Sequence, residues 1–393
     1  MRSVLSVLCL TQVTGWGIVF FAFALLSKDI SADTGWSSTW VVAGFSLAQI
    51  VSAAVGIPVG RVLDRYGPRV VMTAGSVLAS VSIVLLTTAH DLTWYFAAWT
   101  LIGVSMAGVL YQPAFAALTH WSGENRITAL TTLTLVGGLA STVFAPLTAW
   151  LVEDLGWRQT YLVLAVVLAV VTVPAHFFGL RRPWTPQEHS HEHAPRTIAR
   201  SRPFVLLVVS VSMAGFAIYA VVIALVPLLS ERGLSTTTAA WALGLGGVGQ
   251  VFGRLGYGWL SARTGVRGRT VGVMLAAAVT IVVLGLVPGP ALALVAASIL
   301  AGAVRGVFTL LHATAISDRW GPAGYGQLNG LMTAPLTVSA AVSPWVAAWL
   351  VAPIGGYPPV FLVLAAVALV AGALAAQTGQ KATAERVFTV KAP

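Results

Sequence analysis

The sequence predicts an all-α integral membrane protein: twelve transmembrane helices in two pseudo-symmetric six-helix bundles. Three observations predict it. The composition is too apolar for a water-facing surface, apolar spans recur along the chain, and the two halves repeat at one fixed offset. Of 393 residues, 57% are hydrophobic and 9% are charged, whereas soluble domains carry roughly 25% charged residues. So little charge cannot clothe a surface of this size in water, and lipid becomes the outer solvent. The formal net charge of +10 would suit nucleic acid, but the charges lie in short loops between apolar spans. The bilayer is therefore an expected partner and nucleic acid is not. The single Cys9 falls in the first apolar span, which leaves no disulfide framework.

Crossing the hydrocarbon takes about 20 apolar residues. Twelve segments qualify: 4–26, 40–59, 70–88, 92–117, 129–152, 160–180, 203–230, 239–259, 271–287, 290–316, 329–350 and 358–377. The first is too long for the apolar core of a signal peptide and reads as a retained helix. Lys and Arg set the orientation. With the N-terminus in the cytoplasm, 17 of them fall in inner segments and 3 (Lys28, Arg158 and Arg232) in outer loops. Both termini are then cytoplasmic. Arg254 and Arg305 remain, inside spans.

The longest inner loop, Arg181 to Arg202, is polar and holds three prolines. It divides the chain into an N-terminal bundle at 1–180, a linker at 181–202, a C-terminal bundle at 203–378 and a tail at 379–393. Shifting one half over the other by 198 residues puts Gly60, Arg65, Gly67 and Arg69 on Gly258, Arg263, Gly265 and Arg267. The same shift puts Gly108 on Gly306 and Pro146 on Pro344. Two parallel six-helix repeats are the trace of a transporter that rocks its halves about a midplane site.

The run Gly60-Arg61-Val62-Leu63-Asp64-Arg65-Tyr66-Gly67-Pro68-Arg69 resembles the loop between the second and third helices of the major facilitator superfamily. A glycine there lets helices approach, the aspartate suits a basic group or a helix N-terminus, and the arginines face headgroups and cytoplasm. The resemblance implies a conformational latch at Gly60, Asp64, Arg65, Gly67 and Arg69. The second copy has Ala262 in place of the aspartate, which implies a weaker latch or none.

Further residues resemble the bacterial monocarboxylate-transporter-like group, which includes oxalate/formate-type antiporters. They are Gly35-Trp36-Ser37, Gly156-Trp157-Arg158 and Gln250-Val251-Phe252-Gly253-Arg254. In monocarboxylate transporters an acid and an arginine four apart occupy the last place, and the arginine holds the substrate carboxylate. Arg254 matches the arginine, and Gln250 stands where the acid would be.

Burying a charge in the bilayer costs about 2.5–3.5 kcal/mol on insertion scales, so such charges are usually functional. Arg305 lies near the middle of the tenth span. Ser298, Arg305, Thr309 and His312 follow at helical spacing and share one face. All twelve acidic residues sit in loops or at helix ends, so the expected counter-charge for Arg305 is the substrate. The competing reading makes Arg305 a brace on backbone carbonyls. For Arg254 it is an arginine snorkelling to the inner interface. On the fourth helix, Ser105, Gly108 and Gln112 share a face beside Tyr111. Gln12 and Trp16 lie one turn apart on the first, and Tyr219 lies midway along the seventh. Such groups suit hydrogen bonding to a small polar substrate, although each also serves as packing or interhelical glue. His312 is placed to carry a proton or to be a satisfied structural histidine.

The His189, His191, His193 tract reads as polar linker rather than metal site, and Gly244, Gly246, Gly247 and Gly249 as helix packing rather than a phosphate cradle. No catalytic constellation, metal spacing or cofactor motif appears, so neither an enzyme nor a cofactor is expected. Helices three, six, nine and twelve carry few polar groups and suit a lipid-facing place. Pro113, Gly137, Gly138, Pro146, Pro227, Pro335 and Pro344 mark candidate bends.

These features predict a secondary or facilitated transporter of a small organic anion, a monocarboxylate or dicarboxylate, bound by Arg305, Arg254, Tyr111, Gln112, His312, Gln12, Tyr219 and Gln250. Efflux of a drug-like or toxic anionic or amphiphilic compound is the alternative. A monomer in a bacterial cytoplasmic membrane is expected.

Overall fold

A computed structural model describes residues 2–185, 193–322 and 324–378. The predicted tail at 379–393, part of the linker, and His189 and His191 lie outside the described residues. Among the described residues there are helices and no strands. They are α1 (Arg2–Gly15), α2 (Ala22–Thr34), α3 (Ser38–Tyr66), α4 (Pro68–Thr87), α5 (Leu92–Val109), α6 (Tyr111–Ser122), α7 (Arg126–Gly137) and α8 (Ala140–Gly179). Then follow α9 (His193–Ala199), α10 (Arg202–Glu231), α11 (Thr236–Arg263), α12 (Val266–Leu286), α13 (Ala291–Thr314), α14 (Ser317–Trp320), α15 (Tyr325–Ile354) and α16 (Tyr357–Ala375). Each predicted span falls on helix. Among the described residues nine stretches are long and apolar enough to cross a membrane, and the stretch Leu92–Gly179 contains three of the predicted spans. Helix α11 is not among the nine; its glycines, with Gln250 and Arg254, dilute its apolar character.

Three predicted helices are not continuous. The first carries a π-helical turn, Trp16–Phe21, between α1 and α2. The fourth breaks at Leu110, whose φ of −80° and ψ of −158° are extended. This corrects the single helix predicted over 92–117 and the shared face of Ser105, Gly108 and Gln112. Pro113 is the physical reason, because it lacks the N–H that would bond Val109 and its ring crowds the preceding turn. The fifth helix breaks after Gly137 and resumes at Ala140. It then meets the sixth at a sharp bend at Gly156, with φ 69°. Pro146 and Pro227, by contrast, sit inside continuous helices.

The chain divides into two compact units. One comprises Met1–Pro195 and Thr309–Ala341, the other Arg196–Phe308 and Val342–Pro393. Lipid tails are as apolar as leucine, so helices in a bilayer hold together by close packing and hydrogen bonds rather than by leaving water. Both units accordingly contain glycine seams. In the first, Gly56 and Gly60 of α3 meet Gly330 and Gly326 of α15, each pair spaced four apart. In the second, Gly246, Gly249 and Gly253 of α11 lie against the backbone of α13, which presents Gly302 and Gly306 in return. Gly244 and Gly247 have open space.

Polar groups brace each unit at fixed points. In the first, Trp157 Nε1 donates to Asp33 at 2.9 Å, and Arg158 pairs with the same carboxylate. Arg158 also donates to the carbonyls of Thr87 and Ala89, each at 3.1 Å, at the end of α4. The Gly156-Trp157-Arg158 motif is thus a cap on a helix C-terminus, where carbonyls lack partners. In the second unit Arg232 does the same for Gly285 and Val287 at the end of α12. Glu231 accepts the Tyr357 N–H that opens α16, at 3.0 Å. Helices three and six are less bare than predicted: Ser76 Oγ lies 2.8 Å from Nδ1 of the fully buried His176.

The seams make a direct prediction. A Cβ at Gly253 would lie 3.0 Å from Ala303 Cα and closer to its carbonyl, whereas one at Gly256 would meet nothing within 4 Å. Gly253→Val should cost about 1–3 kcal/mol through overpacking. Gly256→Ala should be neutral or slightly stabilising. Thermal unfolding followed by size-exclusion in detergent checks both.

Candidate functional site

The glycine seam brings α11 and α13 to backbone distance, and polar side chains gather beside it. Arg305 of α13 donates through Nη2 to Oε1 of Gln250 on α11 at 3.2 Å. Arg254 stands one turn beyond Gln250 and is buried, with 8% of its surface exposed. Its side chain is thus enclosed by protein. Tyr219 of α10 lies within electrostatic range of both guanidinium groups. Tyr219, Gln250, Arg254 and Arg305 are therefore brought together in the second unit. A small cleft reaches this group at Arg305. Its walls include Ile218, Val221 and Leu225, and Ser298 and Thr280 add hydroxyl-bearing residues. A guanidinium offers a planar fork of donors that matches a carboxylate.

His312 does not join them. It follows Thr309 into the first unit, where Nε2 lies 3.1 Å from Thr333 Oγ1 of α15. Ser298 donates to its own helix, at the Leu294 carbonyl. The face predicted for Ser298, Arg305, Thr309 and His312 is divided between the two units.

In the first unit, Gln12 and Tyr111 come together around the break in the fourth helix. Gln12 Nε2 donates to the Val109 carbonyl at 2.7 Å and approaches that of Leu110 at 3.4 Å. Val109 is four residues before Pro113, so Gln12 supplies the donor that the proline lacks. The Trp16 and Tyr111 rings lie 5.0 Å apart, and Tyr111 stacks on Phe115. Gln112 turns elsewhere, donating to the Gly56 carbonyl at 2.7 Å, beside Gly330 in the α3–α15 seam. Gln12 and Gln112 thus both serve backbone carbonyls.

The predicted latch residues occupy the end of that seam. The Asp64 carboxylate accepts from the N–H groups of Gly326 and Gln327, each at 2.9 Å, in the first turn of α15. Two unpartnered N–H groups and the positive end of the helix dipole are met by one anion. Gly60 lies against Gly326. Gly67 turns the chain with φ 78° and ψ 171°. Arg69 donates to the Phe177 carbonyl at 2.8 Å and lies over the Phe177 ring, and Arg65 lies over Tyr66. In the second copy Gly265 has an ordinary φ of −66°. Buried Arg269, outside the repeated pattern, donates to the Ser261 and Thr264 carbonyls there.

Three residues here are not singled out by the sequence reading. Arg126 and Asp318 form an ion pair at 2.5 Å. Trp184, at the start of the linker, donates to the Asp64 carbonyl at 3.0 Å. A tryptophan in a polar loop is a signal that could have found it. The ion pair joins residues 192 apart and leaves no local trace.

Among the described residues, long apolar helices with glycine seams, helix breaks and a guanidinium cluster within them define a polytopic membrane protein. It belongs to the major facilitator superfamily, whose family model matches residues 5–293 and 205–382. Monocarboxylate transporter 13 of Rattus norvegicus is 26% identical over 262 residues, 65% of this chain and 58% of that one. The chain thus aligns with little more than half of that relative's length. Among solved structures, the transporter FucP in its outward conformation superposes with a TM-score of 0.77 at 14% identity, covering 97% of this chain and all of that one. The human organic anion transporter MFSD10 gives 0.67 at 15% identity, over 95% and 99% of the two chains.

The Gln12 bond carries a test. Gln12→Leu leaves the Val109 carbonyl without its donor and should cost about 1–3 kcal/mol. Pro113→Ala restores an N–H at the right position, so the same Gln12→Leu change should cost about 1 kcal/mol less in that background. A double-mutant cycle of unfolding midpoints in detergent checks it; strict additivity would refute the substitution of one donor for the other.

Proposed function

We propose that this transporter carries a small organic anion, a monocarboxylate or dicarboxylate, and that Arg305 and Arg254 bind its carboxylate. The observation that carries the reading is the group formed by Arg305, Gln250, Arg254 and Tyr219 in the second unit. Gln250 orients Arg305 without neutralising it, and the Tyr219 hydroxyl adds a donor. The apolar cleft that ends at Arg305 suits the carbon skeleton of such an ion. Relatives named monocarboxylate transporters support the substrate class. The same apolar walls favour, as the second reading, export of a larger amphiphilic anion.

Alternating access follows from the internal repeat, with the halves 1–180 and 203–378 as the moving bodies. Asp64 caps α15 in one state and releases it in another, with Gly60, Arg65, Gly67 and Arg69 shaping the loop that holds it. Gln12 and Tyr111 support the broken fourth helix, and His312 and Gln112 steady α15. The positive-inside distribution supports cytoplasmic termini, and we place a monomer in a bacterial cytoplasmic membrane.

Counterflow in proteoliposomes loaded with mono- and dicarboxylates tests this. Losing one charged hydrogen-bond donor costs about 1.5–3 kcal/mol, so Arg305→Gln should weaken saturable uptake roughly tenfold to hundredfold. Arg254→Gln should weaken it comparably. Normal transport by Arg305→Gln removes Arg305 from the site, and exchange of larger amphiphilic anions alone would favour export.

A further inference from the structure

The Asp64 cap does not stand alone, because the first residues of the linker are folded onto it. The Trp184 ring lies over Gly67, where an added Cβ would come within 2.7 Å of its Cγ. Its Nε1 donates to the Asp64 carbonyl at 3.0 Å. Its other neighbours are His120, with ring centroids 4.2 Å apart, and Trp121, edge-on at 5.8 Å. The flanking residues are tied to the same helix. Trp121 Nε1 donates to the Pro183 carbonyl at 3.0 Å, and Thr185 Oγ1 lies 3.3 Å from His120 Nε2. Between this strap and the start of α15 lies a small cavity bordered by Asp64, His120, Trp184 and Tyr325.

We propose that Trp184 is a positioning residue for transport: it fixes the backbone of Asp64 so that both carboxylate oxygens meet the N–H groups of α15. Two independent features support this. Asp64 is the third residue from the end of α3, where a helix frays and its carbonyls lack partners. Trp184 Nε1 is the donor that meets the Asp64 carbonyl there. Gly67 leaves, by having no side chain, the space that the indole fills. A carboxylate on a frayed turn would lose the geometry that two simultaneous hydrogen bonds require. The inference rests on the reading of Asp64 as a latch, and it adds the linker to that latch. Residues 183–185, at the start of the linker, then act on the switch.

Hydrogen exchange of the full-length protein in nanodiscs tests it, because the amides of Gly326 and Gln327 report the cap directly. In W184A those amides should exchange about tenfold faster, as expected for the loss of one well-made hydrogen bond and its packing. In W184F, which keeps a ring over Gly67 but has no N–H, the increase should be about threefold. Exchange in α4 should stay unchanged in both, and uptake should change in maximal rate more than in KM. D64N is the reference, and it should accelerate the same amides at least as much as W184A. Wild-type exchange in W184A beside accelerated exchange in D64N overturns the proposal and leaves the cap intact. Unchanged exchange in both overturns the cap and the proposal together. Acceleration spread evenly over α4 and α15 overturns it too, since Trp184 would then be general packing.

Discussion

Helices in this protein hold together where their backbones can touch. Hydrocarbon offers no gain for hiding leucine, so association depends on short distances and on polar groups that find partners. The seam of Gly246, Gly249 and Gly253 against Gly302 and Gly306 sets the distance between α11 and α13. That distance places Arg305 within reach of Gln250. The seam of Gly56 and Gly60 against Gly326 and Gly330 in the same way puts Asp64 at the first turn of α15. Both the charge cluster and the cap follow from where glycines allow contact.

The second constraint is that every freed backbone group needs a partner. Helix breaks in the first unit lie at Trp16–Phe21, Leu110 and Gly138. Each removes bonds of the regular ladder in a medium without water to replace them. Gln12 serves the Val109 carbonyl, Gln112 serves Gly56, Arg158 serves Thr87 and Ala89, and Asp64 serves two N–H groups of α15. Long polar side chains that look like ligands in a sequence are thus often engaged with the backbone. Arg305 and Arg254 differ in kind, since each brings a full charge into an apolar span.

Much of this was legible in the sequence because the bilayer reduces the choices. Span length, low charge and the repeated Gly60–Arg69 loop point to one architecture, and Asp64, which caps α15, stands out by its neighbours in that loop. The i, i+4 spacing of Gln250 and Arg254 was also legible, whereas the bond from Arg305 to Gln250 joins two helices and was not. What the sequence hid depends on non-local distance or on a break in regular spacing. The predicted face of Ser105, Gly108 and Gln112 assumed a continuous helix, and Leu110 ends it. His312 fits the helical spacing of Arg305, yet bonds to Thr333, because a helix face turns toward whichever neighbour is there. Arg126 and Asp318 meet through tertiary packing alone.

The two copies of the repeated loop also differ in how tightly their surroundings hold the shared glycine. Gly67 combines a left-handed φ of 78° with an indole pressed against it, while Gly265 has a φ of −66° and open space around its Cα. The first position admits glycine for two separate reasons, and any replacement meets strain and collision at once. The second has room for a Cβ and no left-handed φ to strain it. The two glycines that match in the repeat are thus unlike in function: one is held sterically by its surroundings, and the other matches it in position alone.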